Sequence, residues 1–254
     1  MSPKQARPLD HPVVSERYFF PRIAPLDEPV FIEVEGARLA CAALPGGPNE
    51  PTLLHFHGNG EVVADWLPDL GPALRQCGYA PFFAEYRGYG GSTGRPLIDT
   101  MLDDALCIVD QVGVPYERIV VYGRSVGSLY ALHVAANRPV AGLVLESGIA
   151  DVGQRLALRM APAELGLSQQ QFAHALSQRF DHQAKLQAVR CPVRILHTTH
   201  DHMVDIEHAR SLAGWAGSKA KLVEYAQGDH NSIFAYNGAE ILRELVGLRE
   251  ELGL

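Results

Sequence analysis

Residues 118–127 read Arg-Ile-Val-Val-Tyr-Gly-Arg-Ser-Val-Gly, an apolar run that passes directly into the pattern Gly-x-Ser-x-Gly. The apolar run is typical of a buried strand, and the residues after it are compatible with a helix. A serine between two glycines at such a turn predicts a nucleophile elbow with Ser125 at its tip. The turn is tight enough that Gly123 and Gly127 have to be small. The Ser125 hydroxyl would lie at a helix N-terminus, where unpaired amides favour a developing negative charge.

Strand-like and helix-like patterns alternate along the rest of the chain. Further strands are predicted at residues 31–35, 38–43, 52–57, 79–85, 140–146, 193–197 and 221–225. Helices are predicted between them, including one at residues 62–77 and a final one at residues 239–252. Strands separated by helices indicate an α/β fold with a largely parallel, doubly wound sheet.

One segment interrupts this alternation. Residues 151–190 are rich in Gln, Arg and Ala and are too long for an ordinary connection between strands. We expect them to form a small helical cap over a site at the carboxyl edge of the sheet. Residues 1–29 are predicted to be an N-terminal extension and residues 30–254 a single domain, because the chain is too short for two comfortable domains.

Composition and charge exclude several classes of protein. The chain is 47% hydrophobic and 20% charged, which argues against disorder. No apolar run approaches the roughly 18 residues that a membrane span needs, and the N-terminus lacks the apolar segment of a secretory signal. A net charge of -7 gives no basic footprint for nucleic acid. Four widely spaced cysteines fit buried residues in a reducing compartment, so we expect a cytoplasmic protein.

Partners for Ser125 stand at the ends of later predicted strands. A serine hydroxyl is a poor nucleophile at neutral pH and needs a base, and the base needs a third group that fixes its tautomer. Asp201 follows the strand at residues 193–197, and His230 follows the strand at residues 221–225. The order Ser125, Asp201, His230 is the nucleophile, acid and base order of this type of elbow.

Donors for a negatively charged intermediate are predicted at two backbone amides. One is the amide of Val126, directly after the nucleophile. The second is expected in a loop after an earlier strand, and residues 57–60, His-Gly-Asn-Gly, follow such a strand. Glycine there lets the backbone approach a bound carbonyl. We assign the second donor to the amide of Asn59, with Gly60 as the alternative.

These motifs resemble the α/β-hydrolase-fold serine hydrolases, and most closely their ABHD13/ABHD17-like (Bem46-like) branch. The matching motifs are His-Gly-Asn-Gly at 57–60, Glu-Tyr-Arg-Gly-Tyr-Gly-Gly-Ser at 85–92, Gly-Arg-Ser-Val-Gly at 123–127, Asp-His-Met-Val at 201–204 and Gly-Asp-His at 228–230. The resemblance covers about residues 30–250. It implies an α/β-hydrolase fold with a mostly parallel eight-stranded sheet, flanking helices and a small helical cap.

The resemblance also implies a hydrolytic reaction that needs no cofactor. Ser125 would be the nucleophile, His230 the base and Asp201 the acid, in the hydrolysis of a small-molecule ester, thioester or amide. The chain departs from the branch at Asp205, where proline is usual, and we expect an effect only on the start of the next helix. It also lacks the N-terminal cysteine cluster of the membrane-bound depalmitoylases.

Two interpretations that involve bound groups are less well supported by the sequence. The stretch His200-Asp201-His202 suggests a zinc motif, but the rest of that motif is incomplete and no other ligand set has zinc spacing. We expect no metal, and solvated loop positions for His200 and His202. The glycines of residues 88–94 resemble a dinucleotide loop, but the last glycine of that motif is replaced by Thr93.

Other polar residues near the motifs have open roles. Glu146 ends the strand after the elbow and is the alternative to Asp201 as the acid. His55 is predicted to be a buried structural histidine, and His57 to bond to the loop backbone and help to form the oxyanion hole. Arg87 and Arg124 could orient each other's loops or contact an acidic substrate group, with at least one of them on the solvated surface.

The predicted function is hydrolysis of a carboxylic ester or thioester through an acyl-enzyme on Ser125. A short-peptide or amide hydrolase and a catalytically silent binding module with the same fold remain alternatives. The sequence leaves the acyl group, the leaving group and the oligomeric state open.

Overall fold

The computed structural model of the chain describes residues 7–47 and 49–254, and at its centre is an eight-stranded sheet. The strands are β1 (Val30–Val34), β2 (Ala37–Ala43), β3 (Thr52–Phe56), β4 (Ala80–Ala84), β5 (Ile119–Arg124), β6 (Gly142–Glu146), β7 (Val193–Thr198) and β8 (Ala220–Tyr225). Their order is β1-β2-β4-β3-β5-β6-β7-β8. Only β2 runs antiparallel to its neighbours, β1 and β4. The predicted mostly parallel eight-stranded sheet is confirmed.

Ten α-helices within the described residues connect and cover the strands. They are α1 (Pro12–Tyr18), α2 (Val63–Trp66), α3 (Leu70–Gln76), α4 (Thr100–Gln111), α5 (Gly127–Asn137), α6 (Val152–Ala157), α7 (Gln169–Arg179), α8 (His182–Ala188), α9 (Ile206–Ala216) and α10 (Ile233–Glu251). In this part of the chain none of them is long and apolar enough to cross a membrane.

Two helix predictions were wrong in their extent. The single helix expected at residues 62–77 is two short helices, α2 and α3, interrupted around Pro68. Leu67 keeps a helical conformation, but Pro68 has no amide proton to donate to the preceding turn, so the first helix ends there. The last helix, α10, begins at Ile233, six residues earlier than expected.

Both faces of the sheet are covered, which explains the continuous apolar strands in the sequence. Because successive side chains of a strand point to opposite faces, Val121 of β5 packs towards α4 and α5. Its neighbour Val120 packs in a second core on the face of α3 and α10. The parallel strands place their carboxyl ends at one edge of this sandwich.

The N-terminal segment packs on the same core as the rest of the chain. Leu9, Val14 and Phe19 are buried in the core cluster that contains β5 and α5. The carboxylate of Asp10 accepts hydrogen bonds from the backbone amides of Asp99 and Thr100 at the start of α4. Residues 1–6 of the predicted extension lie outside the described residues.

The segment at residues 151–190 contains α6, α7, α8 and a short 3₁₀ helix at Pro162–Leu165. Arg179 at the end of α7 forms ion pairs with Asp99 (2.5 Å) and Asp103 (2.6 Å) beside and within α4. These contacts attach the segment to the body of the molecule.

Lys185 in α8 carries a buried ammonium group that makes no hydrogen bond to another described residue. Burial and the nearby charge of Arg179 lower the pKa of Lys185 to about 7. Because the folded pKa lies below that of the unfolded chain, the charge destabilises the fold fully below about pH 7, and the penalty disappears as the pH rises towards about 10.4. We expect Lys185→Met to raise the Tm by about 2–6 °C at about pH 6, with a smaller gain at about pH 10, measured by calorimetry. An equal gain at both pH values would contradict this electrostatic explanation.

Candidate active site

Ser125 lies at a sharp turn between β5 and α5. Its φ is 51°, a left-handed value that is uncommon for a residue with a side chain and indicates local strain. A Cβ added at Gly127 would lie 2.1 Å from the carbonyl oxygen of Phe56, and one at Gly123 would lie 2.5 Å from the carbonyl oxygen of Gly127. The prediction that both glycine positions must be small is therefore confirmed.

The order of the strands explains why the predicted site residues meet. After β3 the chain adds β4 on one side of that strand and β5 on the other, so the crevice between β3 and β5 is a topological switch point. Asn59 follows β3 and Ser125 follows β5, whereas Asp201 and His230 follow β7 and β8. All four residues lie at the carboxyl edge of the sheet.

Ser125, His230 and Asp201 form a continuous chain of contacts. Oγ of Ser125 lies 3.0 Å from Nε2 of His230. Nδ1 of His230 lies 2.7 Å from Oδ2 of Asp201. A proton on Nδ1 that is donated to the carboxylate leaves Nε2 with a lone pair directed at the serine hydroxyl. This tautomer can accept the hydroxyl proton.

The carboxylate of Asp201 is held in its charged form. Burial alone would raise the pKa of Asp201, but hydrogen bonds from His197 and His230 hold it well below its usual range. The other carboxylate oxygen accepts hydrogen bonds from the amides of Met203 (2.9 Å) and Val204 (2.7 Å). Asp201 is therefore an anion, fixed in orientation, behind the imidazole ring.

The two predicted donor amides, those of Val126 and Asn59, make no backbone hydrogen bond to another residue of the described chain. The orientation of the second is set by His57, whose Nδ1 lies 2.8 Å from the carbonyl oxygen of Gly58. That carbonyl and the Asn59 amide belong to one trans peptide unit and point in opposite directions. By holding the carbonyl on one side, His57 directs the Asn59 amide to the other. The predicted bond from His57 to the loop backbone is present.

His57 lies between two hydrogen-bond acceptors. Its Nε2 lies 2.7 Å from Oε1 of Glu85, so both nitrogens face acceptors. Burial would lower the pKa of His57, but the charge and hydrogen bond of Glu85 outweigh that effect and raise it. The raised pKa favours the protonated ring, and the contacts of its two nitrogens support the loop at residues 58–60.

The side chain of Asn59 joins this loop to the N-terminal segment. Its amide group donates to the carbonyl of Tyr18. Its carbonyl oxygen accepts from the amide of Phe20 (3.0 Å) and from the hydroxyl of Tyr89 (2.8 Å). Gly60, the alternative donor, has a φ of 80°, a conformation that glycine adopts easily.

Glu146 contacts Arg124 and Tyr122 and not the imidazole ring of His230. Its carboxylate lies 3.0 Å from Nε of Arg124 and accepts the hydroxyl of Tyr122. Arg124 also pairs with Glu61 and donates to the carbonyl of His230 at 2.6 Å. Arg124 thus connects the loop after β3, the end of β6 and the loop that carries His230.

The expectation that Arg87 or Arg124 would lie on the solvated surface was wrong for both. Each side chain is only 4% exposed. Arg87 forms a bidentate pair with Asp104, with both N–O distances 2.6 Å, and donates to the carbonyl of Glu35. A buried guanidinium is tolerated because it is paired and hydrogen-bonded.

His55, His200 and His202 lie where the sequence indicated. His55 is buried among the rings of Trp66, Phe83 and Tyr122, and burial holds its pKa well below the usual value. His200 and His202 are exposed on the loop that carries Asp201. Within residues 7–47 and 49–254, no group of three or more His, Cys, Asp or Glu side chains is placed to hold a metal ion.

Comparison with known proteins places this chain in a family. The family model described as serine aminopeptidase, S33, matches residues 47–179, just over half of the chain. The matched region includes Asn59 and Ser125 and ends before Asp201 and His230. The chain belongs to this α/β-hydrolase family. Within it, this hydrolase-fold chain falls in the ABHD17-like branch, in agreement with the resemblance of its motifs.

Two curated relatives and one solved structure illustrate the relationship. The chain is 32% identical to alpha/beta hydrolase domain-containing protein aho-3 of Caenorhabditis elegans, over 77% of this chain and 57% of that protein. It is 27% identical to human alpha/beta hydrolase domain-containing protein 17B, over 80% of this chain and 68% of the relative. The esterase Pf2001 of Pyrococcus furiosus superposes with a TM-score of 0.73 at 15% identity, over 91% of this chain and 98% of that one. The match therefore spans little more than half of the nematode protein.

The cavity at Ser125 is also lined by residues that the sequence did not single out. It has a volume of about 90 Å³, and its walls include Tyr18 and Phe20 from the N-terminal segment. Arg155 and Arg159, in and just after α6, line it as well. None of these four residues lies in a motif of the hydrolase family. The one signal in the sequence was the expected cap at residues 151–190, which contains both arginines.

Proposed function

We propose that the chain is a serine hydrolase that cleaves a carboxylic ester or thioester through an acyl-enzyme intermediate on Ser125. The observation that carries the proposal is the chain of contacts from Ser125 through His230 to Asp201, with distances of 3.0 and 2.7 Å. The strained elbow and the family membership support it. The same contacts have no evident purpose in a fold that only binds a ligand.

Acylation begins when Nε2 of His230 takes the hydroxyl proton and Oγ of Ser125 attacks the substrate carbonyl carbon. The carbonyl π electrons move to its oxygen, and the tetrahedral oxyanion accepts hydrogen bonds from the amides of Val126 and Asn59. Asp201 stabilises the imidazolium ion that forms. Collapse of the intermediate expels the alcohol or thiol, which takes the proton from His230, and leaves an ester on Ser125.

Deacylation repeats these steps with water as the nucleophile. His230 takes a proton from water, the hydroxide adds to the acyl carbon, and the oxyanion again uses the two amides. Collapse releases the carboxylic acid, and His230 returns its proton to Oγ of Ser125. The free enzyme is restored, with one ester or thioester bond hydrolysed for each water consumed.

We further propose that residues 151–190 act as a cap that helps to select substrates. The segment contributes Arg155 and Arg159 to the cavity wall beside Ser125. The N-terminal segment contributes to the same wall, so the functional domain would extend beyond residues 30–254.

An amide or short-peptide hydrolase is the second candidate, because the matching family is described as a serine aminopeptidase. Such an enzyme has to bind a positively charged α-amino group with an available carboxylate. Glu61 lines the cavity but pairs with Arg124, and its carboxylate also accepts the amide of Gly58 (2.7 Å). The charges of the cavity therefore favour an ester or thioester over a peptide N-terminus.

The test is a series of p-nitrophenyl esters and matching thioesters of increasing acyl length, with amino acid p-nitroanilides alongside. We expect a burst of p-nitrophenol close to one equivalent of enzyme, and an acyl group on the peptide that contains Ser125 by mass spectrometry. Faster turnover of the p-nitroanilides would favour the peptidase. A folded chain with no turnover of any substrate would favour the silent binding module.

A further inference from the structure

The cavity at Ser125 is lined by positive charge that has no carboxylate partner among the described residues. Arg155 and Arg159 both line the cavity that contains Ser125 and His230. Within the described chain neither forms an ion pair with a carboxylate. Arg155 donates to the carbonyl of Met203, and its Nε is buried without a hydrogen-bond partner. The guanidinium of Arg159 lies over the ring of Phe20, 5.6 Å from its centre.

These two arginines differ from the others near the site and from the chain as a whole. Arg124, at the same cavity, is neutralised by Glu61 and Glu146. The net charge of the chain is -7, so an excess of cations at one cavity is not a result of a basic composition. Two unpaired guanidiniums beside a nucleophile attract a negatively charged ligand and raise its local concentration.

A neutral hydrogen-bond donor lies beside them. Tyr18 lines the same cavity, and its hydroxyl makes no hydrogen bond to any other residue that the structure describes. Burial raises the pKa of Tyr18 to about 12, and the charges of Arg155 and Arg159 oppose that rise. All three groups line the same cavity. Tyr18 remains protonated at neutral pH and can donate to an anion.

We propose that the substrate carries an anionic group, a carboxylate or a phosphate, which Arg155 and Arg159 bind with Tyr18 as an additional donor. Guanidinium groups bind both anions through paired, charge-assisted hydrogen bonds. The inference rests on the proposed function, since it places the anion next to an acyl group on Ser125. A cavity of about 90 Å³ at the serine fits a short acyl group, with the anionic group at the two arginines.

The test compares anionic and neutral esters of equal length. The substrates are the mono-p-nitrophenyl esters of succinic, glutaric and adipic acid, and the p-nitrophenyl esters of the corresponding alkanoic acids. Rates are corrected for hydrolysis without enzyme. We expect kcat/KM to favour at least one anionic ester by about tenfold or more, and this preference to weaken with added salt.

Variants test whether the two arginines cause the preference for anionic esters. In Arg155→Gln/Arg159→Gln the anionic to neutral ratio of kcat/KM is expected to fall by about tenfold or more, mainly through KM. In the structure Arg159→Gln removes only the stacking on Phe20, and we expect it to cause part of the fall in the ratio. Arg159→Lys keeps the positive charge and should keep most of the anionic preference. Arg190→Gln is the matched control, because Arg190 is exposed just before β7, at the opposite edge of the sheet.

The outcomes separate this inference from the proposed function. Turnover of neutral esters without an anionic preference, or a ratio unchanged by the double substitution, would overturn the inference and leave the serine hydrolase standing. If no ester is turned over, calorimetric binding of glutarate to the wild-type chain decides. Binding that is lost in Arg155→Gln/Arg159→Gln would support the anion site, and no binding would refute it.

Discussion

A Ser125→Ala variant is expected to lose all labelling by a fluorophosphonate probe and to lower kcat for any accepted ester by a factor of about 10⁴ to 10⁶. Without Oγ there is no atom to form the acyl bond, and His230 has no hydroxyl to deprotonate. What remains is the effect of the donor amides on direct attack by water. The measurements are in-gel fluorescence with the probe and initial rates of p-nitrophenol release.

The variant should fold, because alanine adds no atoms to the elbow. Ser125 is held by its backbone amide, which donates to the carbonyl of Glu146 at 2.9 Å, and that bond survives the substitution. Ser177→Ala is the control, since Ser177 is exposed on α7, and it should label like the wild type. Equal labelling of Ser125→Ala and the wild type would refute the assignment of the nucleophile.

The candidate site residues that local sequence patterns mark could be predicted from the sequence. Ser125, Asp201 and His230 each follow a short apolar strand, and parallel strands bring their carboxyl ends to one edge. Their meeting therefore follows from topology once the strands are recognised. The glycines at 123 and 127 carry a second, independent signal, because the end of β3 lies too close to Gly127, and the start of α5 too close to Gly123, for a side chain at either position.

Contacts between distant parts of the chain were not predictable in this way. Arg124 pairs with Glu61, 63 residues away, and Arg87 pairs with Asp104. A charged residue gives no local sign that it will be buried, so a surface position was the natural expectation. The contribution of Tyr18 to the cavity has the same origin, because it depends on where the N-terminal segment folds back.

Asn59 shows how a predicted residue can have a second role that sequence does not reveal. Its amide was predicted as a donor, and that role remains a prediction. Its side chain, however, bonds to the backbone of Tyr18 and Phe20. The loop at residues 58–60 and the N-terminal wall of the cavity are therefore fixed together, and a change in one would shift the other.

An Asp201→Asn variant is expected to lower kcat by about 10⁴-fold with little change in KM. The amide group of asparagine can donate to Nδ1 of His230, which would place the imidazole proton on Nε2. That nitrogen would then face Ser125 as a donor and could not accept the hydroxyl proton. The carboxylate that stabilises the imidazolium would also be lost. Esterase rates and thermal melts on the same sample measure the effect.

Glu146→Gln is the matched comparison, because Glu146 is the other acidic residue that ends a strand near His230. Its carboxylate faces Arg124 at 3.0 Å, so neutralising it leaves that guanidinium less well paired in a buried site. We expect a lower Tm and a fall in kcat of less than about tenfold, far smaller than for Asp201→Asn. The reverse ranking, with Glu146→Gln inactive and Asp201→Asn nearly normal, would make Glu146 the acid. The contacts oppose that outcome, because a carboxylate can fix the imidazole tautomer only by accepting from Nδ1, and Asp201 lies at that nitrogen at 2.7 Å.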